Sequence, residues 1–137
     1  GAFFSEKQVG RGVAVADYDA DGDLDAVVVH QNAPAALLEN HASSGDWLAV
    51  RCIGIRSNRR GIGCRVTVRR GDRVWMQEIV GGSSYASTHE PLLVFGLGER
   101  AGDCEVTVRW PGGGVQELRG VASRQSLTVL ERVDGGP

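Results

Sequence analysis

Five aspartates stand at alternate positions in the run Asp17-Tyr18-Asp19-Ala20-Asp21-Gly22-Asp23-Leu24-Asp25, and this run restricts the possible folds more than any other stretch. Left bare, the carboxylates would repel one another at close range, so a cation is expected among them. Hard oxygen donors at odd positions, with a glycine at the tight turn, are what Ca2+ requires. The pattern D-x-D-x-D-G-x-x-D begins like an EF-hand loop but lacks that motif's distal glutamate and its two flanking helices. Its flanks, Gly12-Val13-Ala14-Val15-Ala16 and Ala26-Val27-Val28-Val29-His30, are short and β-branched, which predicts strands. The expectation is a calcium loop joining two strands.

The spacing assigns ligand roles. Asp17, Asp19 and Asp21 each supply a side-chain oxygen, Asp23 a backbone carbonyl, and Asp25 folds back to bind through both carboxylate oxygens. Gly22 supplies a backbone conformation that bulkier residues resist. Mg2+ suits this many protein oxygens less well than the larger ion. The competing reading is a solvated acidic turn without metal.

Beyond the loop the chain reads as all-β. A turn at Gln31-Asn32-Ala33-Pro34 leads into a strand or short helix over residues 35–40. Small polar residues at 41–46 read as a linker, which divides the chain into a calcium-loop unit, residues 1–45, and a second unit, residues 46–133. An incomplete strand is expected at Ala2-Phe3-Phe4. In the second unit, Arg65-Val66-Thr67-Val68-Arg69 and Glu105-Val106-Thr107-Val108-Arg109-Trp110 alternate polar and apolar residues, as half-buried strands do. Short strands separated by glycine-rich turns predict an antiparallel β-sandwich with Val66, Val68, Val106, Val108 and Trp110 facing its core. Cys52, Cys64 and Cys104 lack C-x-x-C spacing, which argues against zinc. Buried free thiols are expected, with a Cys52–Cys64 bridge as the alternative.

Composition narrows the function classes. The formal net charge of −2 implies no nucleic-acid partner, and no apolar run is long enough to span a membrane. No signal-peptide pattern opens the chain. The start at Gly1-Ala2-Phe3-Phe4, without a methionine, suggests a fragment or processed product. Arginines crowd residues 51–73, whereas Lys7 is the single lysine. A GC-rich genome accounts for that bias. The turn at Asn58, Arg59 and Arg60 could also grip a carboxylate, sulfate or acidic glycan.

From Gly10 to Asn40, with G-R-G-V-A-V-A-D-Y-D-A-D-G-D-L-D, the chain resembles an FG-GAP or VCBS repeat. From Trp47 to about Leu130 it resembles an ASPIC/UnbV domain, through Ser57-Asn58-Arg59-Arg60-Gly61-Ile62-Gly63, Gly81-Gly82-Ser83-Ser84-Tyr85-Ala86-Ser87, Phe95-Gly96-Leu97-Gly98 and Val108-Arg109-Trp110-Pro111-Gly112-Gly113-Gly114. The pair is similar to the cartilage acidic protein-like family. The resemblance implies calcium-stabilised repeats that form blades of integrin-type β-propellers, in a secreted or cell-surface protein. Such domains also occur in bacterial gene clusters for enediyne natural products. The chain would then be a piece of a biosynthetic protein or accessory whose active site lies elsewhere.

No catalytic constellation converges. Ser83 and Ser84 with His89 and Glu90 offer a nucleophile and base by type, but no G-x-S-x-G elbow accompanies them. A non-enzymatic calcium-binding module for adhesion, ligand binding or assembly is expected, with a protein or glycan ligand. Val13, Val15, Val27 and Val29 are expected to share one apolar face. That face should pack on the sandwich or on another copy, giving a homo-oligomer or filament by strand addition.

Overall fold

The computed structural model describes residues 2–5, 7–42, 45–99 and 102–133, so Ser43 and Ser44 of the expected linker lie outside the described residues. Three strands, β1 (Gly10–Ala16), β2 (Asp25–His30) and β3 (Ala33–Leu38), form an antiparallel sheet in the order β1-β2-β3. Residues 17–24 connect its first two strands. The next strands are β4 (Asp46–Ile53), β5 (Arg65–Arg70), β6 (Arg73–Glu78) and β7 (Leu93–Gly98). They are followed by β8 (Cys104–Arg109), β9 (Val115–Val121) and β10 (Gln125–Leu130). These seven make two further sheets, ordered β10-β4-β7 and β6-β5-β8-β9. The all-β sandwich expected from the alternation is therefore present. One pairing departs from it, because β10 runs parallel to β4, aligning Leu127 with Val50 and Val129 with Cys52. The stretch Ala2–Ser5 is a single 3-10 turn rather than a strand.

The register of the two alternating strands explains the core. Val66 lies opposite Val108 and Val68 opposite Val106, so all four valines project from one face, and all are fully buried. Leu48, Val50 and Cys52 of β4 and Phe95 and Leu97 of β7 belong to the same buried cluster, which Trp110 joins. Burying each such aliphatic side chain contributes about 1.5–3 kcal/mol. Arg65, Arg69 and Arg109 are exposed, whereas Thr67 and Thr107 are half-buried. A one-residue slip would send every valine outward.

The three-stranded sheet corrects one expectation. Val13 pairs with Val28, Ala14 with Val27 and Val15 with Ala26. Residues 17–24 are an even number of connecting positions, so odd-numbered residues of β1 face even-numbered residues of β2. Val13 and Val15 therefore share a face with Ala26 and Val28, and through β3 with Ala36 and Leu38, all half-buried. Val27 and Val29 lie on the opposite face with Leu37, and these three remain 41–44 % exposed.

Cys52, Cys64 and Cys104 are free and buried. Burial pushes the Cys52 thiol up to about 12 and the Cys64 thiol to about 11. A thiol so disfavoured as thiolate is a poor nucleophile. All three should resist a charged disulfide reagent under native conditions and react together once the chain is unfolded; fast labelling of any one in the native state would contradict this burial.

The far end of the sandwich is closed by Glu131. One of its carboxylate oxygens, Oε2, accepts the backbone N–H groups of Ile55 (2.7 Å), Arg56 (2.8 Å) and Ser57 (2.8 Å), and Oε1 accepts the Ser57 hydroxyl (2.7 Å). The Ser57 amide leads in holding the Glu131 carboxyl down to about 2, well below its ordinary 4.5. At the other end, Arg70, 4 % exposed, donates to Asp46 (2.6 Å) and to the Gly102 carbonyl (2.8 Å), and Arg124 donates to the second Asp46 oxygen (2.8 Å). The Arg70 guanidinium, then Arg124, holds Asp46 down to about 2 from 3.8. Both groups are depressed on folding, so their stabilisation is complete above the unfolded values and is lost as pH falls toward 2. Acid should therefore lower the melting temperature through the interval from about pH 4.5 to 2. Glu131→Gln should melt lower at neutral pH and lose less on acidification; an acid profile identical to wild type would show that Glu131 carries none of this dependence.

Candidate metal centre

The aspartate loop is shaped by its own carboxylates. Asp17 Oδ1 accepts the Asp21 N–H (3.1 Å) and its Oδ2 the Gly22 N–H (3.2 Å). Asp21 Oδ1 accepts the Asp23 N–H (2.8 Å). These short-range acceptances are the usual way aspartate fixes a turn. Gly22 has φ of +94°, and a Cβ there would overlap the Trp47 indole at the start of β4. The loop thus rests on the sandwich through a glycine that leaves room for a ring.

Three of the five aspartates come together. Oxygens of Asp17, Asp19 and Asp21 all lie within 4.8 Å of one another. Oxygens bound to one Ca2+ at 2.3–2.6 Å can be no more than about 5 Å apart, so this set fits a single hard cation. Burial raises the Asp17 carboxyl above its ordinary value, outweighing the lowering by the Gly22 and Asp21 amides. A charged carboxylate there lacks sufficient compensation from the protein alone.

Asp23 and Asp25 stand outside the trio. Oδ2 of Asp23 is buried and accepts no hydrogen bond. Asp25, 5 % exposed, accepts the Tyr18 N–H through Oδ2 (2.9 Å) and the Asn40 N–H through Oδ1 (2.8 Å). The Asn40 amide, then Tyr18, lowers its carboxyl below the ordinary range. Asp25, expected to bind the metal through both oxygens, has each of them on a main-chain amide. It ties the loop's entry to the exit of β3, because a buried carboxylate takes the two amide donors those turns leave unpaired.

Sequence reasoning missed how the sheet and the sandwich are joined. The outer edge of β1 is filled by residues 84–90. Ser84 Oγ accepts the Val13 N–H (3.2 Å), Ser87 Oγ donates to the Val13 carbonyl (2.9 Å), His89 Nδ1 accepts the Val15 N–H (3.2 Å), and the Glu90 N–H donates to the Val15 carbonyl (3.1 Å). Gly12 makes room, since a Cβ there would lie 2.8 Å from the Tyr85 carbonyl. The one available signal was the polar run Ser83 to Glu90 within an otherwise apolar β pattern. A cavity of about 200 Å3 remains at this junction, lined by Val15 and Leu24 on one side and by Ile79, Leu93 and Val94 on the other.

Asn58, Arg59 and Arg60 lie apart from the aspartates. Asn58 folds its turn, with Oδ1 accepting the Arg60 N–H (2.9 Å) and its carbonyl the Gly61 N–H (2.8 Å). Arg59 and Arg60 are exposed and border a cavity of about 440 Å3 with Arg51 and Glu90.

The family profile described as ASPIC and UnbV matches residues 54–135. The chain is similar to cartilage acidic protein 1 of Mus musculus, 35% identical over 131 residues that cover 89% of this chain and 19% of the relative. Its similarity to the proteins of the same name from Homo sapiens and Xenopus tropicalis is 34% and 33% over the same shares. The chain thus spans about a fifth of the length of these curated relatives.

Gly22→Ala should destabilise the chain by about 1–3 kcal/mol, from overpacking against Trp47 added to the strain at positive φ. Chemical denaturation measures it; no change in midpoint would mean that the loop does not rest on the indole. His89→Ala should leave the sandwich amides protected while the Val15 amide exchanges faster with deuterium, because that amide loses its acceptor.

Proposed function

The chain belongs to the ASPIC and UnbV family, and from that premise we propose that it is a non-catalytic, calcium-stabilised module of an extracellular protein. On this reading residues 1–45 act as an FG-GAP/VCBS-like repeat and residues 46–133 as the ASPIC/UnbV sandwich. The observation that carries the proposal is the convergence of Asp17, Asp19 and Asp21 oxygens within 4.8 Å. Ca2+ is the cofactor, held by those three carboxylates, and its role is to neutralise the loop and fix the β1–β2 connection. The extracellular assignment rests on similarity to proteins whose name refers to cartilage.

The side chains that could have formed a hydrolytic site favour the non-enzymatic reading. Ser84, Ser87 and the His89 imidazole are bonded to the backbone of β1, and Glu90 is paired with Arg51. A nucleophile needs a base free to take its proton, and here the base's ring nitrogen accepts a main-chain N–H. Adhesion, ligand binding or assembly is the work that remains. Self-assembly by strand addition would have to use an edge other than that of β1, whose backbone groups are already met.

Calcium that binds only the folded chain should raise stability by about 2.7 kcal/mol at a hundredfold excess over its dissociation constant. The melting temperature should therefore rise with added Ca2+ and fall with a chelator. The Asp19→Asn/Asp21→Asn variant, which keeps the side-chain oxygens that fold the turn, should lose most of that response. A wild-type melt indifferent to chelator would overturn the calcium assignment.

A further inference from the structure

One concave surface is left without a task by the calcium loop and by the junction with β1. Arg51 leaves β4 at its wall, and the turn carrying Arg59 and Arg60 lies across the end of the same strand. That turn is held in place. A Cβ at Gly61, φ +68°, would lie 2.7 Å from the Cys52 carbonyl, so only glycine lets the turn press so closely on β4. The backbone that carries the two guanidinium groups is therefore set before any ligand arrives, which lowers the ordering cost of binding.

The charges on this surface do not cancel. Glu90 neutralises Arg51, whereas neither Arg59 nor Arg60 has a carboxylate partner among the described residues. Two positive charges thus stand free at one concavity of a chain whose net charge is −2. Past Arg60 and Pro91 the surface continues into a second hollow of about 330 Å3. Its walls are partly aliphatic: Ile62 is half-buried, Val80 is 56 % exposed, Gly81 and Gly82 bare their main chain, and Thr88 and His89 add polar groups. Neither hollow is lined by a Phe, Tyr or Trp side chain. The one aromatic face a sugar ring would meet is the half-buried His89 imidazole, already hydrogen-bonded to β1, whereas a peptide carrying acidic and aliphatic side chains meets a counterpart for each.

We propose that this continuous groove, from Arg51, Arg59 and Arg60 to Ile62 and Val80, binds an extended acidic peptide segment of a partner protein. Carboxylates of the segment lie against the Arg59 and Arg60 guanidinium groups, which can each receive a carboxylate through two parallel hydrogen bonds. An aliphatic side chain further along the segment covers Val80 and Ile62. The Arg51–Glu90 pair forms the wall between the charged hollow and β1, and the bond from the Glu90 N–H to the Val15 carbonyl keeps it in place. This site goes beyond the calcium reading and does not depend on it, since none of the five aspartates borders either hollow.

The test is fluorescence anisotropy with a labelled peptide of alternating glutamate and valine, on the whole chain in calcium-containing buffer. Saturable binding that weakens with added salt is expected. Arg59→Ala/Arg60→Ala should weaken it about tenfold or more, as loss of charge-assisted hydrogen bonds implies. Both side chains are exposed and the turn is made by Asn58 and Gly61, so an unchanged melting temperature of the variant confirms an intact fold. Val80→Asn, which removes the aliphatic contact without adding charge, should weaken the same peptide while leaving the salt dependence in place. Absence of saturable binding, or equal binding by the double-arginine variant, would overturn the proposal. So would a heparin-derived oligosaccharide that binds more tightly than the peptide and loses affinity in the same variant, since the groove would then be a glycan site.

Discussion

Strand β1 has a hydrogen-bonding edge that faces away from β2, and the joining of the two parts of the molecule depends on how that edge is filled. Main-chain donors and acceptors partly withdrawn from water need partners. Here Ser84, Ser87, His89 and Glu90 meet the N–H and carbonyl groups of Val13 and Val15. Two hydroxyls, a ring nitrogen and one amide do the work of a neighbouring strand. Once this edge is met, the aspartate loop is carried to the start of β4, where Gly22 lies under Trp47. The same segment then places Glu90 beside Arg51. A single set of edge contacts so fixes the positions of the candidate metal centre and the arginine-lined groove.

Three half-buried or buried carboxylate sites solve one problem in three ways. Removing a carboxylate from water is costly unless hydrogen bonds or opposite charge replace the hydration. Glu131 receives three backbone amides and a hydroxyl, Asp46 receives two guanidinium groups, and Asp25 receives two amides from distant turns. Each of these is stabilised in its charged form. Asp17 differs from all three: its carboxyl is raised, by burial first of all. The contrast separates carboxylates compensated by protein donors from one that its donors compensate incompletely.

The arginines divide in a parallel way. Arg70 is buried against Asp46 and the Gly102 carbonyl, where a planar donor set can reach both acceptors, although its Nη1 donates to no partner among the described residues. Arg65 meets Glu78 across the β5–β6 pair on the exposed face (3.2 Å), a contact worth little by itself. Arg59 and Arg60 have neither kind of partner among the described residues. A compositional bias explains why arginine is frequent, and it leaves open why these two stand together over a concave surface.

The sequence by itself determined the local features. Alternation in Val66, Val68, Val106 and Val108 set which residues enter the core, because side chains on a strand point to opposite faces with period two. The spacing of Asp17, Asp19 and Asp21 around Gly22 brought three carboxylates together, because ligand geometry within a short loop depends on near neighbours alone. Tertiary structure decided everything that needed distant partners. Which amide met Asp25 Oδ1 depended on where β3 ended, and whether Val13 shared a face with Val27 or Val28 depended on the pairing register of the hairpin. The parallel pairing of β10 with β4 follows from a chain path that no local pattern records. Glu131 was an ordinary acidic residue near the end of the chain until the turn at Ile55 to Ser57, more than seventy residues earlier, presented its amides to it. Pattern within a strand or a loop is written in adjacent residues, but a hydrogen-bond partner far away in the chain is chosen only when the sheets assemble.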